Sequence, residues 1–200
     1  KQTACQEPEM SLLKKQSEPR KQPLLLVVMG VSGTGKSTLA SEFARRHQFT
    51  FLDADSLHSD QAIEQMSQGI PLSDAQRLPW IKRIYAELSE SQQQNKSCIL
   101  AYSGLKQAHR KIVFSSYACR AGVLLNADQS LIMERLAKRS EHFMSPQLLD
   151  SQLAEMEPFS NKEPLLELSS AEPVETLVNQ LELFASALQI MPEATPGWNF

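Results

Sequence analysis

Three glycines, a lysine and a serine lie at fixed spacing near the amino end of the chain. The segment from Gly30 to Ser37 reads Gly-Val-Ser-Gly-Thr-Gly-Lys-Ser and fits the pattern G-x-x-x-x-G-K-[ST] throughout. Glycines let the backbone curl so that successive N–H groups face a phosphate chain, the lysine reaches its outer phosphates, and the serine hydroxyl ligates Mg²⁺. The spacing therefore predicts a loop that binds a nucleoside triphosphate. The residues predicted to contact the nucleotide are Gly30, Ser32, Gly33, Thr34, Gly35, Lys36, Ser37 and Thr38.

Two aspartates and a histidine follow the next apolar segment of the chain. Asp53 and Asp55 are two residues apart, so in an extended segment both carboxylates leave the same face. They are expected at the carboxyl edge of a sheet, where open α/β sheets bind their ligands. One carboxylate would hold the water shell of Mg²⁺ and the other would accept a proton from an attacking hydroxyl. The alternative is that these aspartates cap a turn, and the nearby His58 is as readily a surface group as a ligand contact.

Three cations are candidates for binding an anionic acceptor. Arg77 lies near the start of a predicted helix, where the helix dipole disfavours a cation, so a ligand carboxylate or the neighbouring Asp74 is expected beside it. Lys106 and Arg110 are four residues apart and are predicted to share one helix face at the ligand edge of the sheet.

Two further arginines, Arg135 and Arg139, are also four residues apart. They are predicted to reach over the phosphates from a lid, whereas the competing interpretation is ordinary surface charge.

Apolar runs and periodic apolar residues alternate along the chain. The pattern predicts five strands, at 24–29, 49–53, 98–102, 121–125 and 165–168. It predicts helices at about 36–47, 74–94, 105–115, 129–139 and 173–189. Strands alternating with helices indicate an α/β fold with a parallel sheet covered on both faces. We expect a flexible tail over 1–23, one domain over 24–190 with a lid at about 135–157, and a second tail over 191–200.

Composition narrows the functional class. Hydrophobic residues make up 42% and charged residues 22% of the 200, which is typical of a globular protein. The net charge of −3 argues against a nucleic-acid partner, although residues 24–139 carry 14 basic and 10 acidic residues, which suits a small anionic ligand. The longest apolar run has six residues, against roughly 20 for a membrane span. Three cysteines without metal-ligand spacing favour a reducing cytoplasm.

Several blocks of the sequence resemble the gluconokinases, a family of P-loop kinases. The blocks are Gly30–Thr38, Phe51–His58, Gly69–Asp74, Arg77–Ile81, Ser103–Lys106 with Arg110, Arg135–Arg139, His142–Met144, Leu148–Leu149, Ser151–Leu153 and Glu157–Pro158. The resemblance covers about residues 24–188. It implies a five-stranded parallel sheet like that of nucleoside-monophosphate kinases, a homodimer, and ATP-dependent phosphorylation of D-gluconate to 6-phosphogluconate.

The same resemblance assigns roles to the candidate residues. Lys36, Arg135 and Arg139 are expected to neutralise charge on the transferring group. Asp55 is expected to deprotonate the acceptor hydroxyl, and Asp53 together with Ser37 to hold Mg²⁺. The residues expected to bind the acceptor are Asp55, His58, Arg77, Lys106 and Arg110.

Five positions depart from the pattern of this family. Ala62 stands where asparagine is usual, Gln65 where lysine is usual, Tyr102 for cysteine, Gly104 for alanine and His109 for tyrosine. The first two remove donors that would face a polyhydroxy acid, so they bear on acceptor identity more than on phosphoryl transfer.

Two other functions remain open from the sequence. One is a kinase of the same fold for another small hydroxy acid such as shikimate, although no Gly-Gly-Gly-type substrate loop is present. The other is a non-catalytic ATP-binding regulator, against which the retained Asp55 counts.

Overall fold

The computed structural model describes residues 22–138, 148–159 and 164–190, in which strands and helices alternate. The strands are β1 (Leu24–Met29), β2 (Thr50–Asp53), β3 (Cys98–Ala101), β4 (Cys119–Asn126) and β5 (Leu165–Ser169). The α-helices are α1 (Lys36–His47), α2 (Asp60–Ser67), α3 (Asp74–Gln93), α4 (Gln107–Phe114), α5 (Gln129–Ala137), α6 (Leu148–Glu155) and α7 (Val174–Ile190). A short 3₁₀ helix spans Ala54–Leu57.

All five strands pair in parallel in the order β2-β3-β1-β4-β5, so β1 lies at the centre of the sheet. Every residue of β1 is fully buried because helices cover both faces. Alternate side chains of β1 enter two separate cores. Leu24, Leu26 and Val28 pack with α1 and α7, whereas the odd-numbered side chains between them pack with α3 and α4.

The predicted α/β fold with a five-stranded parallel sheet is confirmed. Each predicted strand is present with its ends moved by at most two residues, and each predicted helix is present. The sequence reading missed α2, α6 and the 3₁₀ helix, which are short and offer few apolar positions from which a period can be read. Of the two predicted tails, all but residues 22 and 23 lie outside the described residues.

Helix α3 begins at Asp74 because Ser73 closes its amino end. The Ser73 hydroxyl accepts from the backbone N–H of Gln76, and the Gln76 side chain accepts in return from the backbone N–H of Ser73. Pro79 is the sixth residue of the helix and lies just after its first turn.

No helix within the described residues has both the length and the apolar composition that a membrane span requires.

Gly104, in the loop after β3, lies directly against the central strand. Its φ of +64° is one that residues with a side chain rarely adopt. A Cβ added there would lie 2.7 Å from Cγ and 2.8 Å from Sδ of Met29, which is fully buried. Because this position holds glycine rather than alanine, the Met29 side chain can fill the space beside it.

We expect Gly104→Ala to lower the free energy of unfolding by about 1–3 kcal/mol, because it combines overpacking with backbone strain. Chemical denaturation measures the loss. Gly69→Ala is the matched control, since Gly69 also has a positive φ of +77° but lies in the loop between α2 and α3. Equal stability of the Gly104 variant and the native chain would show that Met29 does not constrain this loop.

Candidate active site

The glycine-rich loop joins the buried end of β1 to the amino end of α1. Gly30 has a φ of +142°, and a Cβ there would lie 2.7 Å from the backbone oxygen of Leu125 in β4, so only glycine fits. The loop turns on itself because the backbone N–H and the hydroxyl of Thr34 both donate to the Val31 carbonyl, at 3.4 and 2.9 Å. Gly35 is the N-cap of α1 and has no side chain to cap it. The partial positive charge of this helix end is therefore available to an anion.

Two side chains at the start of α1 have the chemistry expected of a triphosphate site. Lys36 Nζ donates to the Val31 carbonyl at 3.0 Å, which holds the ammonium group over the loop. Ser37 Oγ donates to Asp53 Oδ2 at 2.7 Å, so the hydroxyl of α1 meets the carboxylate at the end of β2. The Ser37 hydroxyl and the Asp53 carboxylate both offer oxygen atoms of the kind that Mg²⁺ prefers as ligands.

The Ser37–Asp53 pair fits a magnesium ion that shares its coordination with phosphates. Within the described part of the chain, no group of three or more His, Cys, Asp or Glu side chains is arranged to hold a metal. Mg²⁺ usually needs only one or two protein oxygens and completes its shell with water and substrate phosphates. The donor set therefore suits a metal that arrives with a nucleotide.

The two aspartates do not share a strand face, which corrects the geometry expected from their spacing. Strand β2 ends at Asp53, and Asp55 lies within the 3₁₀ helix. The chain turns there because Asp53 Oδ1 accepts from the backbone N–H of Asp55 at 3.0 Å. The capping alternative thus holds for Asp53, whose second oxygen binds Ser37. Asp55 is half-buried beside it.

Trp80 of α3 holds the 3₁₀ helix and His58 in place. Its indole N–H donates to the Ala54 carbonyl at 2.6 Å, and its ring stacks on His58 with centroids 4.2 Å apart. Burial, together with the charges of Arg83 and Arg77, lowers the pKa of His58 to about 4. His58 is therefore neutral at pH 7 and offers hydrogen bonds rather than positive charge.

Arg77 lies in the first turn of α3 with two carboxylates beside it. Its Nη1 pairs with Asp74 Oδ1 at 3.4 Å and with Glu155 Oε2 of α6, and only 12% of its side chain is exposed. The neighbouring Asp74 expected from the sequence is therefore present, and Glu155 joins it. Together they offset the unfavourable helix dipole.

Lys106 and Arg110 have different environments, although the sequence predicted one shared helix face. Lys106 is the N-cap of α4 and half-buried, because the helix begins only at Gln107. Arg110 is 1% exposed, and its guanidinium donates to the carbonyls of Gly104, Leu105 and Pro158 at 2.6–3.0 Å. Such an environment favours a role for Arg110 in positioning the loop after β3.

Charges from three elements converge near the start of α4. Burial lowers the pKa of His109. The charges of Asp74 and Glu157 oppose the shift, and those of Arg77 and Lys106 reinforce it. These side chains are therefore close enough to act on one imidazole. The charge of Arg77 also acts on His58, so Arg77 is within electrostatic range of both histidines.

Arg135 of α5 is held against the phosphate loop. Its guanidinium donates to the Thr34 carbonyl at 3.4 Å, to the Ser170 carbonyl at 2.7 Å and to Ser170 Oγ. Ser170 Oγ in turn donates to the Thr34 carbonyl at 2.6 Å. Arg135 thus links α5 to the phosphate loop and to the chain after β5. Arg139, the second predicted lid arginine, lies outside the described residues, as does the 139–147 part of the predicted lid.

The sequence reading missed the part that α6 plays at the site. Gln152 Oε1 accepts from the backbone N–H of Ser32 in the phosphate loop at 2.7 Å, and both residues are buried. Glu157 Oε2 accepts from the N–H of Gln107 at the start of α4 at 2.6 Å. The available signal was a glutamine three residues after Leu149, at a position where the buried face of a helix is normally apolar.

Comparison with known proteins agrees with this geometry. A family model described as an AAA domain matches residues 25–159. The gluconokinase of Gluconobacter oxydans (strain 621H) is 35% identical over 159 residues, which span 80% of this chain and 89% of that protein. The thermoresistant gluconokinase of Escherichia coli (strain K12) is 34% identical over 77% of this chain and 89% of its own length.

Solved structures give the same result. A gluconokinase from Sinorhizobium meliloti 1021 superimposes with a TM-score of 0.74 at 31% identity and covers 84% of this chain and 95% of its own. A shikimate kinase from Aquifex aeolicus reaches a TM-score of 0.55 at 17% identity over 83% and 98% of the two chains, which shows a shared fold alone. Because relatives above 30% identity align over nearly nine-tenths of their length, this chain belongs to the gluconokinase family of P-loop kinases.

Proposed function

We propose that this protein transfers the γ-phosphoryl group of ATP to a hydroxyl of D-gluconate and releases 6-phospho-D-gluconate and ADP. The observation that carries the proposal is the hydrogen bond between Ser37 and Asp53. It joins the phosphate loop to the chain segment that contains Asp55 and His58. A phosphoryl donor and an acceptor hydroxyl bound on either side of this pair would lie next to each other, and such positioning is the main requirement of phosphoryl transfer.

The phosphate loop supplies the binding site for the donor. Backbone N–H groups of residues 30–38 and the amino end of α1 would bind the phosphates, and Lys36 would neutralise charge that develops on the transferring group. Ser37 and Asp53 would hold Mg²⁺, directly or through water, and the metal would neutralise the charge of the phosphates when bound. Arg135 would hold the loop through the Thr34 carbonyl, and Arg139 is proposed to act from the lid.

The opposite side of the Ser37–Asp53 pair supplies the acceptor site. Asp55 would take the proton from the attacking hydroxyl as general base. Arg77 and Lys106 would bind the carboxylate of gluconate, while the neutral His58 would bind hydroxyl groups. Arg110 would act indirectly, because its guanidinium is used to hold the loop between β3 and α4.

Three of the residues that depart from the family pattern make structural contacts within the protein. Gln65 donates to the Pro71 carbonyl at 2.9 Å and accepts from Gln76 at 2.8 Å, so it ties α2 to the loop before α3. Ala62 packs against the small apolar cluster around Met66. Tyr102 is buried and packs beside the indole of Trp80. These contacts indicate that the acceptor site is held by different side chains, and they argue against its loss.

The two competing functions are less well supported. Similarity to shikimate kinases extends only to the fold, at 17% identity, whereas the sequence relatives above 30% identity carry the name gluconokinase. A regulator that only binds ATP has no need of a carboxylate at position 55. Following the family resemblance, we further propose that the protein acts in the cytoplasm as a homodimer.

Replacement of Lys36 by alanine should lower kcat by roughly 10²–10³, the effect of removing one electrostatic donor to the transition state. A coupled assay of ADP release measures the rate. Lys111→Ala, which removes an exposed lysine from α4, is the control and should retain native activity. A normal kcat for purified Lys36→Ala with a native melting curve would contradict the assignment of the phosphate loop.

The acceptor is tested by comparing gluconate with glucose, which lacks the carboxylate. Gluconate should stimulate ATP consumption far above background and yield 6-phosphogluconate in amounts equal to the ADP released. Glucose should stimulate it far less, because it offers no anion to Arg77 and Lys106. Equal rates with both sugars would eliminate the cationic acceptor site.

The two aspartates are separated by paired variants and a titration of Mg²⁺. Asp55→Asn removes the proton acceptor at constant shape and should reduce kcat by roughly 10²–10⁴. Asp53→Asn should raise the Mg²⁺ concentration that gives half-maximal rate, while its amide oxygen can still accept from the N–H of Asp55. Rescue of the Asp55 variant by Mg²⁺, without rescue of the Asp53 variant, would reverse the two roles.

A further inference from the structure

Helix α6 contacts both halves of the proposed active site through two side chains on one face. Gln152 and Glu155 are three residues apart and are therefore neighbours on the helix surface. Gln152 binds the backbone of the phosphate loop, and Glu155 binds Arg77 of α3. A single rigid element thus connects the donor site to the acceptor site.

Glu155 forms an ion pair with the guanidinium of Arg77, the group that is proposed to bind the acceptor carboxylate. Arg77 pairs through the same nitrogen, Nη1, with Asp74 and Glu155, and the Glu155 Oε2 atom that faces it is shielded from solvent. Asp74 is 66% exposed at the rim, so Glu155 is the more enclosed of the two partners. A ligand carboxylate at Arg77 would be repelled by Glu155 unless Glu155 moved away.

Gln152 plays a similar part at the phosphate loop. Its side-chain oxygen accepts from the N–H of Ser32 at 2.7 Å in a buried environment. Backbone N–H groups of this loop are the donors proposed for phosphate oxygens. The Gln152 amide oxygen therefore takes the place of a phosphate oxygen at the Ser32 N–H, just as the Glu155 carboxylate takes the place of a ligand carboxylate at Arg77.

The segment that follows α6 anchors it to the acceptor side of the sheet. The backbone N–H of Glu157 donates to the Leu105 carbonyl at 2.8 Å, and Glu157 Oε2 accepts from the N–H of Gln107. The Pro158 carbonyl accepts from buried Arg110. Displacement of Glu155 would therefore turn α6 about this anchored end, and Gln152, one turn earlier in the helix, would move with it.

We infer that Glu155 is an internal substitute for the acceptor carboxylate, and that α6 couples its displacement to release of the Ser32 N–H by Gln152. The inference rests on the proposed function. It makes Glu155 a positioning residue that selects acidic acceptors, because a neutral sugar cannot replace a carboxylate at Arg77. It also makes acceptor and nucleotide binding mutually favourable, since each ligand stabilises the arrangement that the other requires.

The test measures the effect of each contact on the ligand that it does not touch. Glu155→Gln removes the charge at constant shape, and Gln152→Met removes the acceptor for Ser32 at similar length. Calorimetry gives the affinity of each variant for gluconate alone and for a non-hydrolysable ATP analogue with Mg²⁺ alone. Asp150→Asn makes the same chemical change as Glu155→Gln at an exposed position of α6 and is the matched control.

Glu155→Gln should bind the ATP analogue roughly fivefold or more tightly, within the usual range of coupling between two sites, although it lies outside the phosphate loop. Gln152→Met should likewise tighten gluconate binding, and in both variants one ligand should enhance the other less than in the native protein. The preference for gluconate over glucose in kcat/KM should fall in Glu155→Gln. Asp150→Asn should leave all of these values unchanged.

A helix that merely braces the site gives the opposite result. Unchanged or weaker binding of the ATP analogue to folded Glu155→Gln would overturn the inference, and this arm alone decides it if Gln152→Met fails to fold. Failure of the proposed function is seen separately, as an absence of gluconate phosphorylation by the native protein. Binding of the analogue to Glu155→Gln remains measurable in that case.

Discussion

The carboxylate of Asp53 is the constraint on which the candidate site depends. One of its oxygens receives the hydroxyl of Ser37 and the other receives the N–H of Asp55. The first bond fixes the amino end of α1 relative to β2, and the second turns the chain into the 3₁₀ helix that leads to His58. Because both oxygens are engaged, a small movement of Asp53 would alter the donor side and the acceptor side together.

The loop after β3 and the phosphate loop are each held by an arginine whose donors are paired within the protein. Arg110 is buried, which is costly for a charge unless its donors are paired. Three backbone carbonyls accept from it, and the Phe159 ring lies 4.2 Å from its guanidinium carbon. Arg135 likewise donates to the Thr34 and Ser170 carbonyls. Both arginines bind main-chain oxygens of loops, and such contacts stabilise loop conformations that lack secondary-structure hydrogen bonds.

Helix α6 adds a connection that neither the sheet nor the two cores provide. Its apolar residue Leu149 packs with the phosphate loop and α5, while its polar residues contact the loop and α3. Both polar contacts use groups that also suit ligands. A ligand can bind these groups only when α6 moves away from them. The fold therefore links two sites that lie on different elements.

Local sequence patterns specify the framework of this protein. A run of six apolar residues followed by G-x-x-x-x-G-K-[ST] specifies a buried strand, a glycine turn and a helix, because each depends on local periodicity and backbone freedom. The other strands and the long helices could be predicted for the same reason. The Gly69–Asp74, Arg77–Ile81 and His142–Met144 blocks are the stretches that are specific to the family.

The use of the side chains in the site depends on contacts between distant parts of the chain. Asp55 turned out to lie on a 3₁₀ helix because a hydrogen bond to Asp53 outweighs the extended conformation assumed from spacing. Arg110 donates to the carbonyl of Pro158, 48 residues later in the chain, and Gln152 accepts from the N–H of Ser32, 120 residues earlier. Pairings of this kind depend on which loops the parallel sheet brings to one edge. No local pattern encodes that information, since residues far apart in the chain become neighbours only after the sheet and its two cores have formed.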